Sequence, residues 1–203
     1  DTFERQPDSP CGDDDMLMYF TSGTTGNPKM ALHSYKYPLG HFHTANFWHC
    51  VDPEGLHFTI SDSGWAKAAW GKIYGQWLCE AAIFVYDFDK FEAADILPMI
   101  EKYKITTFCV PPTIYRFMLQ EDVKKYDLSS VEHWTTAGEP LSAEVVNKWE
   151  ELTGHKIASG FGQTEGTVLI AEFPWFEKRP GSLGKPSPIY NIQLINADGM
   201  ECE

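Results

Sequence analysis

The chain has 203 residues, 43% of them apolar and 14% aromatic, with a formal net charge of −13. That length and apolar share suffice for one sizeable core and exclude a disordered or repeat-built chain. The acidic balance argues against a nucleic-acid partner, because a polyanion is repelled unless a basic groove is folded inside. No apolar run reaches the roughly 20 residues that cross a bilayer, so no membrane span is expected, and DTFERQPDSP does not read as a secretory signal. Five cysteines, odd in number and without a CxxC pair, point to a reducing compartment rather than to disulfides or zinc, and a cytoplasmic location is expected. His41-x-His43 lacks further ligands at metal spacing and reads as a surface or packing pair.

In chain order, residues 1–15 form an irregular lead-in, with Pro7, Pro10, Gly12 and three consecutive aspartates. A strand over 16–20 runs into a polar loop. Ser34 caps a predicted helix over 35–49. His57–Ile60 reads as a strand, Asp62–Gly64 as a turn, 65–79 as a helix and Ala82–Tyr86 as a strand. A helix over 91–103 is predicted to bend or restart at Pro98. Ile105–Val110 makes the next strand, and Pro111-Pro112 opens a helix where a missing N–H costs nothing. A strand near 131–136 ends at Gly138-Glu139-Pro140. Ser142 caps the following helix, and Lys156–Ala158 is a short strand before a Gly-rich loop, Ser159 to Gly166.

Strand and helix alternating five times, with nearly continuous apolar strands, predict an α/β fold: a mostly parallel sheet covered by helices on both faces. Ligands of such sheets bind at the carboxyl ends of the strands. The loops Thr21–Lys29, Gly138–Pro140 and Ser159–Glu165 all follow predicted strands, so they are expected to meet at one sheet edge. After Arg179 the texture changes. A turn-rich stretch, 181–186, leads to an alternating strand over Ile189–Ile195 and a turn at Asp198-Gly199. Residues 1–180 are thus expected to form one subdomain, and 181–203 the incomplete opening of an all-β second one, as in a piece of a longer protein.

The first loop fails as a Walker loop, since Pro28 stands where the glycine before the lysine belongs and Met30 replaces the hydroxyl that reaches magnesium. Hydroxyls and free amides around Gly23-Thr24-Thr25-Gly26, with Lys29 behind them, still suit phosphate oxygens. A plain polar connection is the alternative on composition alone. Thr21-Ser22-Gly23-Thr24-Thr25-Gly26-Asn27-Pro28-Lys29 resembles the phosphate-loop signature of the adenylate-forming superfamily, which holds acyl-CoA synthetases, adenylation domains and luciferases. Two further elements follow in the family's order. Gly138-Glu139-Pro140 resembles its adenine-contacting segment, and Gly160-Phe161-Gly162-Gln163-Thr164-Glu165 resembles its YGQTE motif, with Phe161 in place of tyrosine. Gly181-Ser182-x-Gly184-x-Pro186 is similar to the lead into the family's small β-barrel. "GWAKAAWGKIYGQW" and "PPTIYRF" look closest to the acetyl- and medium-chain acyl-CoA synthetase branch.

The resemblance implies a two-step reaction: a small-molecule carboxylate attacks the α-phosphorus of ATP, and the thiol of coenzyme A then displaces AMP. It implies that Glu165 positions Mg²⁺, that the Thr164 hydroxyl bonds the α-phosphate or the acyl carboxylate, and that the Thr21–Lys29 loop holds the β- and γ-phosphates. Ser159 to Thr164 and Gly138 to Pro140 would complete the nucleotide contacts. Trp65, Lys67, Trp70 and Gly162 would border the acyl pocket, although the stripe Lys67, Trp70, Tyr74, Trp77 also reads as a core-facing helix side. Lys67 reads either as a carboxylate partner or as a snorkelling surface lysine, the second being the expectation. Acetyl-specific relatives carry a bulky tryptophan at the position matching Gly162, so a pocket deeper than acetate is expected, for a short-to-medium, branched or aromatic acid. The family's ribose-binding aspartate, hinge and mobile C-terminal domain have no counterpart in these residues, and the chain alone is expected to be inert. Two alternatives stay open: the same adenylation with another acceptor such as a carrier protein, and a non-catalytic binding module. The oligomeric state is not legible in the sequence.

Overall fold

The computed structural model describes residues 4–21 and 26–202. Its elements run β1 (Asp15–Thr21), β2 (Lys29–Ser34), α1 (Tyr37–His43) continued by a π-helical turn (Thr44–Trp48), β3 (Leu56–Thr59), α2 (Ala66–Lys72), α3 (Tyr74–Leu78), β4 (Ala82–Phe84) and α4 (Ala93–Tyr103). They continue through β5 (Thr107–Cys109), α5 (Pro112–Met118), a short 3₁₀ turn, β6 (His133–Ala137), α6 (Ala143–Thr153), β7 (Ile157–Phe161), β8 (Ile170–Ala171) and β9 (Lys185–Pro186). The main sheet has the order β4-β3-β5-β6-β7-β8-β9, in which the first five strands are parallel and β8 pairs antiparallel with both β7 and β9. The expected parallel sheet with crossover helices is therefore present.

Pleating gives the sheet two different faces. Phe58, Phe108, Trp134 and Ile157 stand in one rung across β3, β5, β6 and β7. They pack with Ile96, Leu97, Ile100, Tyr115 and Trp149 of α4, α5 and α6 into the larger apolar core. The neighbouring residues point the other way, and that face is polar: His57, Thr59, Thr107 and Thr135 are all buried on it. His57 is fully partnered there, through Nδ1 to Thr107 Oγ1 at 2.7 Å and through Nε2 to Thr59 Oγ1 at 2.7 Å and Gly71 O at 2.9 Å. The π-turn, with Trp48 and His49, and Trp70 of α2 cover this side.

Several expectations are corrected. β1 does not join the parallel sheet; it pairs antiparallel with β2 in a separate hairpin, Thr21 opposite Lys29 and Phe20 opposite Met30. Lys36, not Ser34, precedes α1 as its cap position, and the Ser34 hydroxyl only receives the Lys36 N–H at 3.3 Å. The helix over 65–79 breaks at Ile73 (φ −114°, ψ −76°), so the aromatic stripe is no single face and Trp77 is 61% exposed. Pro98 does not restart α4, which runs unbroken from Ala93 to Tyr103 and is anchored across the missing N–H by the buried Ile96, Leu97 and Ile100. β7 runs three residues beyond the predicted strand because β6 and β8 both pair with its extension. Residues 189–195 form no strand; a single bridge joins Ile195 to Glu201, and alternation alone cannot hold a strand without a partner edge.

Candidate active site

Three chain segments converge at the carboxyl edge of the sheet. The end of β1 brings Tyr19, Phe20 and Thr21, the end of β6 brings Ala137 and Gly138, and the turn after β7 brings Gly162, Gln163 and Thr164. With Trp65, Lys67 and Trp70 at the start of α2, they enclose a cavity of about 400 Å³. Of the three loops expected to meet, Thr21, Gly138 and residues 162–164 line this cavity, and β1 reaches it from a hairpin rather than from the sheet. Gly138 adopts φ +104°, which only glycine takes without strain and which lets the chain turn sharply at the cavity wall. The turn after it leaves Glu139 exposed, where its Oε2 accepts from Thr113 Oγ1 at 2.8 Å and from Arg116 Nη2 at 3.3 Å; Pro140 is exposed and does not line the cavity.

Gln163 and Gly166 close the next turn reciprocally, the Gln163 N–H donating to Gly166 O at 2.8 Å and the Gly166 N–H to Gln163 O at 3.2 Å. Thr164 sits half-buried at its tip, facing the cavity, and Glu165 is exposed beside it. Glu165 enters none of the ion pairs among the described residues. Those residues hold no cluster of three metal-ligating side chains either. A lone exposed carboxylate fits magnesium only in the way the ion is commonly bound, through one or two carboxylates with the remaining ligands from substrate phosphates and water.

Ser22, Gly23, Thr24 and Thr25 lie outside the described residues. On either side of them, Thr21 donates from Oγ1 to Lys29 O at 3.4 Å, and Gly26 (φ +141°), Asn27 and Pro28 lead into the exposed Lys29. Ser159 and Gly160 are not loop residues and do not line the cavity. Ser159 is buried in β7, its N–H donating to Glu172 Oε2 at 2.9 Å, and Gly160 lies flat under the Trp48 indole, which donates to Ser159 O at 3.3 Å. Phe161, 37% exposed, ends the strand paired with Ile170. A Cβ at Gly162 would meet Gly166 O at 3.2 Å, so backbone crowding is one reason for a glycine there besides pocket depth.

Lys67 corrects the surface reading most directly. It is 5% exposed, and its Nζ donates to Ala137 O at 3.3 Å. Burial pulls its pKa below the ordinary lysine value, against the Cys109 thiol and Glu139, which favour the charged form. Trp65 is 56% exposed and stands between this cavity and a second one of about 620 Å³, bordered by Phe91, Pro111 and Ile114. Two further residues shape the site without any signal in the local sequence. His33 of β2 places Nε2 2.8 Å from Thr164 O, and Glu172 uses both carboxylate oxygens to hold the backbone N–H groups of Ser159 and Arg179.

The human mitochondrial acyl-coenzyme A synthetase ACSM3 is 38% identical over 185 residues, and human mitochondrial ACSM4 is 40% identical over 185 residues. Each match covers 91% of this chain but 32% of the relative, so the chain spans about a third of the length of these curated relatives. Both relatives are mitochondrial, which overturns the cytoplasmic expectation: unpaired cysteines report a redox environment and not an address. Among solved structures, the anthranilate CoA ligase AuaEII with bound anthranoyl-AMP superposes with a TM-score of 0.82 at 30% identity, covering 94% of this chain and 37% of that one. A Brucella canis acyl-CoA synthetase superposes at 0.85 with 24% identity, covering 95% and 36%, which shows the shared fold. The AMP-binding enzyme family matches residues 2–203, nearly end to end, and the chain belongs to that family.

Proposed function

We propose that the chain is the nucleotide- and acid-binding core of an ATP-dependent acyl-CoA synthetase. The observation that carries this reading is the convergence of Thr21, Gly138 and Thr164, from three separate segments, on one cavity whose far wall is Trp65, Lys67 and Trp70. The chemistry to be managed is the attack of one anion on another, so the site's work is positioning and electrostatics. Thr164 donates its hydroxyl to the α-phosphate or the acyl carboxylate. Residues 21–29 hold the pyrophosphate end, with Lys29 as counter-charge. The Gly138–Pro140 turn contacts the adenine through Gly138, and the Thr113 and Arg116 contacts to Glu139 keep the turn in place.

Magnesium arrives with ATP and, when bound, withdraws charge from the phosphates; Glu165 is the residue that would hold it. The acid lies between Trp65, Trp70 and Gly162 and is short-to-medium, branched or aromatic. Two cavities meeting at Trp65 supply separate approaches for the two nucleophiles, carboxylate and then thiol. A mitochondrial setting, as in the ACSM3 and ACSM4 relatives, accords with the free cysteines. The division at residue 181 belongs to the same proposal, supported by the turn from Arg179 to Ser182 and the loss of regular structure past Pro186.

Carboxylate-dependent ATP–pyrophosphate exchange by the full-length protein tests the reading, across acids from acetate to octanoate plus branched and aromatic ones. Exchange that peaks above acetate is expected, with Glu165→Gln cutting it by about a hundredfold or more, the usual scale for losing one electrostatic element. No exchange with any acid sinks the ligase reading and leaves a binding module.

A further inference from the structure

Lys67 is a buried lysine without an acidic partner among the described residues. Among the described residues no carboxylate oxygen lies within the 4.0 Å that defines an ion pair with it, although seven other pairs meet that limit. An ammonium has three N–H donors, and Lys67 spends one on Ala137 O at 3.3 Å and a second on the Cys109 thiol. Lys67 is one of the residues lining the cavity that a substrate fills, and the described residues offer its remaining N–H no further hydrogen-bond partner. Water can satisfy that donor while the cavity is open. A purely hydrocarbon acid that displaces the water leaves the donor unmet in a buried site, which is costly.

We propose that Lys67 determines specificity, and that the acid this cavity takes carries a second oxygen acceptor on its body, a carboxylate, keto or hydroxyl oxygen that receives the Lys67 N–H. The proposal rests on the ligase reading and names its substrate class. The acceptor is distinct from the reacting carboxylate. That carboxylate belongs with Thr164, half-buried on the turn after β7, whereas Lys67 is 5% exposed and bonded under the end of β6. Trp65 and Trp70 flank the lysine on the same short helix segment and supply apolar wall for the carbon skeleton between the two oxygen groups. A donor built into such a wall discriminates strongly, because the analogue lacking the acceptor strands it.

The test is kcat/KM for ATP–pyrophosphate exchange by the full-length protein with matched acids: pentanoate, 4-oxopentanoate and pentanedioate, and benzoate against 3-hydroxybenzoate. The wild type is expected to favour at least one acceptor-bearing acid over its plain counterpart by about tenfold or more. Lys67→Met, which keeps an unbranched apolar stem, brings that ratio close to one. Lys67→Gln keeps a neutral donor, so it retains a preference for the keto or hydroxyl acid and loses any for pentanedioate. A wild type that prefers the plain acid in every pair overturns the proposal without recourse to a variant. An equal loss with every acid in Lys67→Met also overturns it, since the lysine would then grip the reacting carboxylate. Absence of exchange with all acids in the wild type overturns the ligase reading beneath it, a different and recognisable failure.

Discussion

His33 Nε2 lies 2.8 Å from the carbonyl oxygen of Thr164, a residue 131 positions away in the chain. A carbonyl only accepts, so this ring nitrogen carries a proton. The imidazole also packs on Tyr37, with ring centroids 4.1 Å apart, and edge-on to Tyr19 at 5.9 Å. The hairpin that carries residues 21–29 is thereby bonded directly to the turn that presents Thr164 and Glu165.

His33→Phe keeps the ring packing and removes the N–H. The Thr164 carbonyl then loses its partner at a cost of about 1–2 kcal/mol, and kcat/KM for exchange is expected to fall roughly 5- to 30-fold. His33→Gln, which can still donate, should recover part of the loss. Wild-type kinetics in the phenylalanine variant would show that the bond positions nothing.

Gly160→Ala tests the packing behind the site. A methyl group there collides with the Trp48 indole, fully buried on the polar face of the sheet. Overpacking of this kind costs about 1–3 kcal/mol, which lowers Tm by roughly 2–12 °C for a chain of this size. Calorimetry on the single variant and on Gly160→Ala/Trp48→Phe should show the second change relieving part of the loss. An unaltered Tm in the single variant contradicts the close contact.

Acid should unfold this chain through its histidines. Burial holds His41 at about 3 and His57 and His133 at about 4, and it keeps His49 well below the ordinary 6.5. In each case the folded state resists a proton that the unfolded state accepts. Nothing is lost above pH 6.5. Below it, each group drains about 1.4 kcal/mol per pH unit until its folded pKa is reached. Against a typical total of about 5–15 kcal/mol, four such groups predict unfolding between pH 6.5 and 4, read by circular dichroism. His57→Gln should make the fall shallower, and stability that stays flat down to pH 4 would refute the account.

Legibility followed locality. Ser142 accepts from the Val145 N–H at 3.4 Å and Pro112 opens α5, because caps and first-turn prolines act within a few residues. β3, β5 and β6 lie within two residues of their expected places because each carries a large apolar residue (Phe58, Phe108, Trp134) among β-formers. The strands nevertheless alternate with a buried polar face and are not the nearly continuous apolar runs expected. β8 and β9, two residues each, exist only through pairing and leave no local pattern. The site divides likewise. Thr21, Gly138 and Thr164 followed from their motifs, whereas Ser159 and Gly160 were drawn into β7 by strands on either side. Lys67 misled because a long amphipathic side chain can surface or stay buried, and only the surrounding fold decides which.

The separateness of the β1–β2 hairpin has a mechanical consequence. Lys29 is four residues from His33 along β2, or about 13 Å of extended strand. The arm is a cantilever: it is clamped at His33 and the Tyr19–Tyr37 rings, and it is not pinned by any ladder of the main sheet. A tilt of about 10° at the clamp moves Lys29 by about 2 Å. On the proposed reading, how firmly Lys29 meets a phosphate oxygen is therefore set by stiffness at the root.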